Sequence, residues 1–344
     1  MSYAPKKSVP TSSMCAAWRP REFVMSGRGI QQWLKRSVME LVLLALCILL
    51  AFQADGFFTL GNLLNVLRNV SMQGIIAFGM TMVIISGEID LSVGSAVAFA
   101  GCLTAWLFEM GTDWGLGILP ALILAILGAL AVGGGVGALS GLIRVRFGVP
   151  TFITTLAWMT VLTGAAQLIT GGFPLTPFPE GYNFLGGGYL LGVPFPAIVF
   201  LCVFAAAHVL MGYTTFGRAI YAVGGNAEAA RLSGIDVGRI KMSVMAIVAL
   251  LAALAGIMQS AEIMSGTAST ARGWELNVIA AVIIGGTSLM GGEGRIRGTL
   301  VGVVFLGVLV NGMTLMNINE YWQHVVRGAL ILGAVLINRA HSGE

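Results

Sequence analysis

Long apolar stretches alternate with short polar ones along nearly the whole chain. A helix needs about 20 residues to cross about 30 Å of hydrocarbon. Stretches of that kind run over 37–54, 118–142, 150–170, 194–213 and 242–264. Less regular ones run over 62–86, 92–109, 276–290, 298–316 and 323–338. The pattern predicts an all-α, polytopic integral membrane protein of about ten transmembrane helices. The shorter ones would be broken or tilted, shielded by protein or by a water-filled cavity, because lipid satisfies no backbone polar group. Two connections are long. The segment 171–193 carries Gly171, Gly172, Pro174, Pro177, Pro179 and the run Gly186–Gly188, and the segment 214–241 is the most charged after the N-terminal tail.

Composition agrees. Of 344 residues 57% are hydrophobic and 10% charged, against about 25% charged in soluble domains. Such a chain cannot cover itself with a polar surface, which excludes a soluble enzyme, a disordered scaffold and a secreted disulfide domain. Glycine, at 48 residues, is about twice its usual share without a collagen period, as close helix contact in a membrane favours.

Charge sets the orientation. With the N-terminus inside and ten alternating spans, the inside segments hold Lys6, Lys7, Arg19, Arg21, Arg28, Lys35 and Arg36 of the tail, then Arg144, Arg146, Arg218, Arg231, Arg239, Lys241, Arg295, Arg297 and Arg339. That is sixteen of the 19 basic residues, as expected when Lys and Arg stay on the cytoplasmic side. Asp55, Asp113, Glu180 and Glu320 fall outside. Both termini are therefore expected in the cytoplasm. The domains read as a basic tail, 1–36, and a transmembrane domain, 37–340, with an inner loop at 214–241. The tail is not read as a secretory signal or a nucleic-acid-binding arm.

Two interruptions resemble each other. An apolar run meets Ser86-Gly87-Glu88-Ile89-Asp90-Leu91-Ser92-Val93-Gly94 and resumes; another meets Gly285-Gly286-Thr287-Ser288-Leu289-Met290-Gly291-Gly292 and resumes. Paired breaks in corresponding positions suggest duplicated halves around a central pathway, although glycine-rich turns also arise in any polytopic chain. Asp90 followed by Ser92 fits a helix start, where a side-chain oxygen accepts from the first free N–H groups. The same break also suits the lining of a transport path, and Asp90 can do both. Gly133, Gly137 and Gly141, and likewise Gly294, Gly298 and Gly302, repeat every four residues. That spacing places each set on one helix face and reads as helix packing.

In the inner loop, Asn226 reads as an N-cap, Ala227–Ser233 as a short helix with Glu228 in its first turn, and Gly234 as its stop. Such a helix either docks in a groove of a cytoplasmic partner or is a solvated linker. Within the spans lie Arg68, Gln73, Gln167, Gln259, Glu262, Asn311 and Arg327. Isolated Gln and Asn suit a path for a polyol and equally suit hydrogen bonds between helices. The candidates kept for the path are Asp90, Ser92, Gln259 and Asn311.

Other chemistry is missing from the pattern. Cys15, Cys47, Cys102 and Cys202 lack metal-ligand spacing, His208, His324 and His341 stand in no triad or metal motif, and no phosphate-cradling Gly-Lys-Ser/Thr run occurs. No ladder of buried carboxylates suggests proton coupling. Uphill transport would draw its energy from a partner.

The stretch Gly79–Ser95, with Ser86-Gly87-Glu88-Ile89-Asp90-Leu91-Ser92-Val93-Gly94 at its centre, closely resembles the signature of bacterial sugar-import permeases of the ribose, xylose and arabinose branch of the ABC superfamily. Thr215-Phe216-Gly217-Arg218 with Ala222–Ile235, and Gly285–Gly292, resemble the same family, over roughly residues 40–340. The family pattern has Gly where this chain has Glu88. The resemblance implies a permease of the bacterial inner membrane that performs no catalysis. It also implies a second permease copy (identical or a close paralogue), a cytoplasmic subunit that binds ATP and Mg, and a periplasmic sugar-binding protein. It makes Asn226, Glu228, Ala229, Ala230, Arg231 and Gly234 the coupling helix toward the ATPase. The expected activity is import of a monosaccharide, ribose or a similar pentose first; the alternative is an ion-coupled secondary sugar transporter. No cofactor or metal is expected on this chain.

Overall fold

The computed structural model describes residues 38–342, so the basic tail 1–36 lies outside the described residues. The helices are α1 (Val38–Gln53), α2 (Leu60–Ile85), α3 (Val93–Asp113), α4 (Ile118–Phe147), α5 (Thr151–Thr170), the one-turn α6 (Phe184–Gly187), α7 (Phe195–Tyr213), α8 (Thr215–Gly225), α9 (Ala227–Leu232), α10 (Val237–Ile263), α11 (Trp274–Ile284), α12 (Ile296–Leu315) and α13 (Glu320–Ser342). Among the described residues seven helices, α2, α3, α4, α5, α7, α10 and α12, are long and apolar enough to cross a membrane. Of the other expected spans, α1 has 16 residues and α11 only 11. The apolar run expected over 276–290 stops being helical at Ile284 because Gly285 and Gly286, the latter at φ +86°, turn the chain.

α2 is the centre. Its most apolar window is 83% buried, against 17% for α4 and 22% for α5, so α4 and α5 carry the lipid-type face. α2 packs on α7, α10, α11 and α12, and α10 packs in turn on α3 and α4. Ile75, Ile76, Ala77 and Phe78 of α2 have no exposed surface, and Phe78 stacks on Phe200 of α7 with ring centroids 5.2 Å apart. Glycines set the approach of α4 to α10. A Cβ at Gly133 would stand 2.6 Å from Cβ of Ala253, and one at Gly141 would stand 2.5 Å from Cα of Met242. A Cβ at Gly137 would collide with the Met245 carbonyl. Gly298 and Gly302 let α12 lie against the carbonyls of Gly285 and Ala281 in the same way.

Gly294 departs from its expected place. α12 starts at Ile296, after an extended Arg295, so Gly294 lies in the turn before the helix and not on the face of Gly298 and Gly302. The four-residue spacing continues into a segment that the preceding glycine turn keeps out of the helix.

The loop 171–193 is ordered over one end of the bundle. Leu175 pairs with Gly266 in an isolated antiparallel bridge. Strands β1 (Tyr189–Leu190) and β2 (Val193–Pro194) form a small hairpin. Buried Tyr182 bonds through its hydroxyl to the Ile257 carbonyl at 2.9 Å and to Ser260 Oγ at 2.8 Å, with Phe178 stacked on its ring.

Candidate functional site

The site begins with α8, α9 and α10. The Thr214 side chain accepts from the Gly217 N–H at 3.1 Å and starts α8, whose Gly217, Ile220 and Val223 are buried. Asn226 then leaves helical geometry, and its Oδ1 accepts from the Ala229 N–H at 2.9 Å to start α9. Gly234, at φ +84°, ends the turn, and Asp236 caps α10 by accepting from the Arg239 N–H at 3.0 Å. Ala230 is buried and holds α9 down. Glu228 and Arg231 pair at 2.6 Å on the exposed side, beside exposed Ala229 and Leu232. The Arg231 hydrogen bond holds the Glu228 carboxyl below the usual carboxylate range.

Immediately before α9, three glycine-rich segments converge. The Gly292 N–H donates to the Ile85 carbonyl at 2.8 Å. A Cβ at Gly224 would collide with that same carbonyl, and one at Gly291 would stand 2.9 Å from the Gly224 carbonyl and 3.1 Å from Cα of Gly87. The end of α2, the end of α8 and the turn between α11 and α12 thus meet backbone to backbone. Tyr221 Oη donates to the Gly294 carbonyl at 2.9 Å and ties α8 to the same turn. Gly294, expected in a helix interface, contributes here instead. Deeper in, the Thr81 and Thr299 hydroxyls, on α2 and α12, are 2.6 Å apart. The two interruptions that resemble each other in sequence are therefore neighbours.

Glu88 lies beside this junction and is 4% exposed. Its carboxylate receives Arg144 Nε from the last turn of α4 at 3.0 Å, Lys241 Nζ from α10, and the Thr151 hydroxyl from the start of α5. Burial alone would raise the Glu88 carboxyl, and the hydrogen bonds from Lys241, Thr151 and Arg144 outweigh it, holding the group below its usual range. The same segment places Asp90, 1% exposed, as acceptor for the Ser92 N–H at 2.7 Å and the Ser92 hydroxyl at 2.6 Å. Asp90 does not itself bond to the first turn of α3. It positions Ser92, the N-cap residue, whose hydroxyl is thereby used up as a donor. The Leu91 N–H donates to Thr155 at 3.1 Å, so this loop is anchored on α5 as well.

The remaining polar residues of the spans fall into separate groups. Arg68 pairs with Glu262 at 3.6 Å, and Gln259 donates to Glu262 at 3.4 Å. Asn311 exchanges two hydrogen bonds with Asn62, at 2.8 and 3.0 Å, across α12 and α2. Asn311 also lines a cavity of about 190 Å³ between α2, α11, α12 and α13, together with Gln73 and Arg327. Gln259 does not line it, Asp90 and Ser92 belong to the opposite end of α2, and Gln167 is exposed on α5. Among the described residues no group of His, Cys, Asp and Glu is arranged to hold a metal ion.

Sequence reasoning found α9 but not the Glu88 cluster or the Ile85–Gly224–Gly292 junction. The available signal was that Arg144 and Lys241 fall on the same side by charge, next to the loop that carries Glu88.

Membrane-crossing helices gathered around α2, with a capped, exposed helix displayed beside a glycine junction at one end, describe a polytopic membrane permease. Comparison with known proteins agrees: the family model described as branched-chain amino acid transport system / permease component matches residues 62–335. The chain belongs to that family and is a multi-pass protein of the bacterial inner membrane. It is 42% identical over 320 residues to the ribose import permease protein RbsC of Escherichia coli strain K12, covering 91% of this chain and 97% of the relative. It is 42% identical over 302 residues to RbsC of Bacillus subtilis strain 168 (87% of this chain, 91% of the relative). It is 36% identical over 311 residues to the L-arabinose ABC transporter permease protein AraH of Azospirillum brasilense (90% of this chain, 89% of the relative). No solved structure matches.

Proposed function

We propose that this chain is the membrane-spanning subunit of an ATP-driven importer that carries a monosaccharide, ribose or a similar pentose first, into the bacterial cell. The chain would cross the membrane ten times in two related halves, with both termini inside, and pair with a second permease copy. ATP and Mg would act on a cytoplasmic partner, and a periplasmic binding protein would deliver the sugar. The names of the relatives, ribose and L-arabinose permeases, support this substrate class.

The observation that carries the reading is α9. It is anchored through Ala230, exposed on its other residues, and joined to the Ile85–Gly224–Gly292 junction by two residues, Gly225 and Asn226. An ATPase that grips α9 and moves on nucleotide binding would pull on Gly224. The junction would pass the displacement to α2, α11 and α12, and Lys241 would pass it through Glu88 to α4 and α5. Tightly packed backbone transmits such a shift because it has no slack to absorb it. Rocking of the spans between outward- and inward-open states follows.

The test uses the assembled importer in proteoliposomes. Glu228→Ala and Gly234→Val are expected to lower sugar uptake and sugar-stimulated ATP hydrolysis together, several-fold, while the protein still assembles in the membrane. Wild-type coupling in both variants removes the docking role of α9. Uptake that follows an ion gradient and survives ATP depletion would favour the ion-coupled alternative.

A further inference from the structure

The cavity between α2, α11, α12 and α13 lies toward the end of α2 opposite the glycine junction, since Asn65 and Asn69 are near the start of α2 and Ile85 at its end. Its polar lining is Asn65, Asn69, Gln73, Asn277, Asn311 and Arg327, with apolar Val278 and Leu306 between them. No carboxylate lines it.

Three observations say what belongs there. First, Asn65 and Asn69 are exposed on a helix that crosses the membrane, with only a 3.5 Å contact between their amides. Amides facing hydrocarbon would be left unsatisfied, so this mouth faces water. Second, the lining is poised for a ligand. The Gln73 and Asn277 side chains have no hydrogen-bond partner among the described residues, and Arg327 Nε is buried without one. Third, the inventory is selective. Each amide both donates and accepts, and the guanidinium donates in a fixed fork. Neighbouring hydroxyls, each a donor and an acceptor, match that set. An amino acid does not, because its ammonium group would find no counter-charge. The volume, about 190 Å³, is below the range of about 300–1,000 Å³ typical of drug-sized ligands, which suits one small ring and not an oligosaccharide.

We propose that this cavity is a transit site for one neutral polyhydroxyl molecule of monosaccharide size, held by Asn69, Gln73 and Asn277 through paired amide–hydroxyl hydrogen bonds and by donation from Arg327. The proposal rests on the permease reading above and adds to it a place in this chain where the sugar stops. Weak, shared hydrogen bonding suits such a site, because transport requires release as much as capture.

The experiment uses the assembled importer in sealed vesicles. Uptake of radiolabelled ribose, xylose and arabinose is measured first, and the sugar taken up becomes the probe. Asn69→Cys and Gln73→Cys are then treated with a charged, water-soluble methanethiosulfonate. The expected result is labelling at both positions above the background of the native cysteines, slowed several-fold by the probe sugar and unchanged by leucine. Asn69→Leu and Asn277→Leu are expected to lower uptake about tenfold or more, a loss of about 1.4 kcal/mol per decade. Should the Leu variants fail to fold, the labelling arm still decides. Cysteines that stay unlabelled, or are labelled at a rate the transported sugar does not alter, overturn the transit site and leave the sugar-permease reading intact. A wild-type importer that moves leucine and none of the three sugars overturns the sugar reading itself.

Discussion

The main-chain N–H of Gly292 donates to the carbonyl of Ile85 at 2.8 Å, and the Cα of Gly224 stands so close to that carbonyl that a side chain there would collide with it. Two helix ends and the approach to α9 are thereby joined through main-chain atoms. Side chains can yield by rotating, but backbone against backbone cannot.

Gly224→Ala is therefore expected to destabilise the protein by about 1–3 kcal/mol or more, the cost of overpacking a filled interior, and to abolish uptake. Gly225→Ala is the control, since a Cβ at Gly225 meets nothing within 4 Å. Melting temperature and uptake measured on both variants check this. Equal behaviour of the two would mean that the junction relaxes freely.

Glu88 predicts a pH dependence. Its lowered carboxyl contributes stability that is present above the usual carboxylate range and is lost as pH falls through the depressed value. The Glu88 cluster should thus be insensitive around neutral pH and weaken in acid. Glu88→Gln leaves Arg144 and Lys241 without their carboxylate. Breaking a buried pair costs about 3–5 kcal/mol. Here about 2–3 kcal/mol is expected, because the Arg144 side chain is 30% exposed. Thermal unfolding of the solubilised protein from neutral pH downward should show the variant below wild type at pH 7 and the gap closing in acid. A constant gap would separate the effect from the ionised carboxylate.

Asp90 predicts a contrast between two substitutions. Burial raises its carboxyl above the usual range, so charge at this position is a cost to the fold, while the oxygen that accepts from Ser92 is an asset. Asp90→Asn keeps an acceptor and is expected to match or exceed wild-type stability. Asp90→Ala leaves the Ser92 donors unpaired and should cost about 1–3 kcal/mol. Melting temperature and uptake decide. An Asn variant that melts normally but does not transport would assign the charge to translocation instead.

Several parts of this architecture were legible before folding. Asn226 and Gly234 bracket α9 as their types demand, because capping depends on the residue and its near neighbours alone. Gly133, Gly137 and Gly141 share a helix face for the same local reason. Gly294 was misplaced by that logic, since periodicity does not say where a helix begins.

Hydropathy and charge are summed residue by residue, so the chain itself determined that it lives in lipid, roughly where it crosses, and which end collects Arg and Lys. What only the tertiary structure decided is partnership. Glu88 meets Arg144 and Lys241 across 56 and 153 residues, and Asn62 meets Asn311 across 249. No local pattern encodes such pairs; they exist because glycine-lined helices pack at one distance and bring particular polar groups within reach of one another.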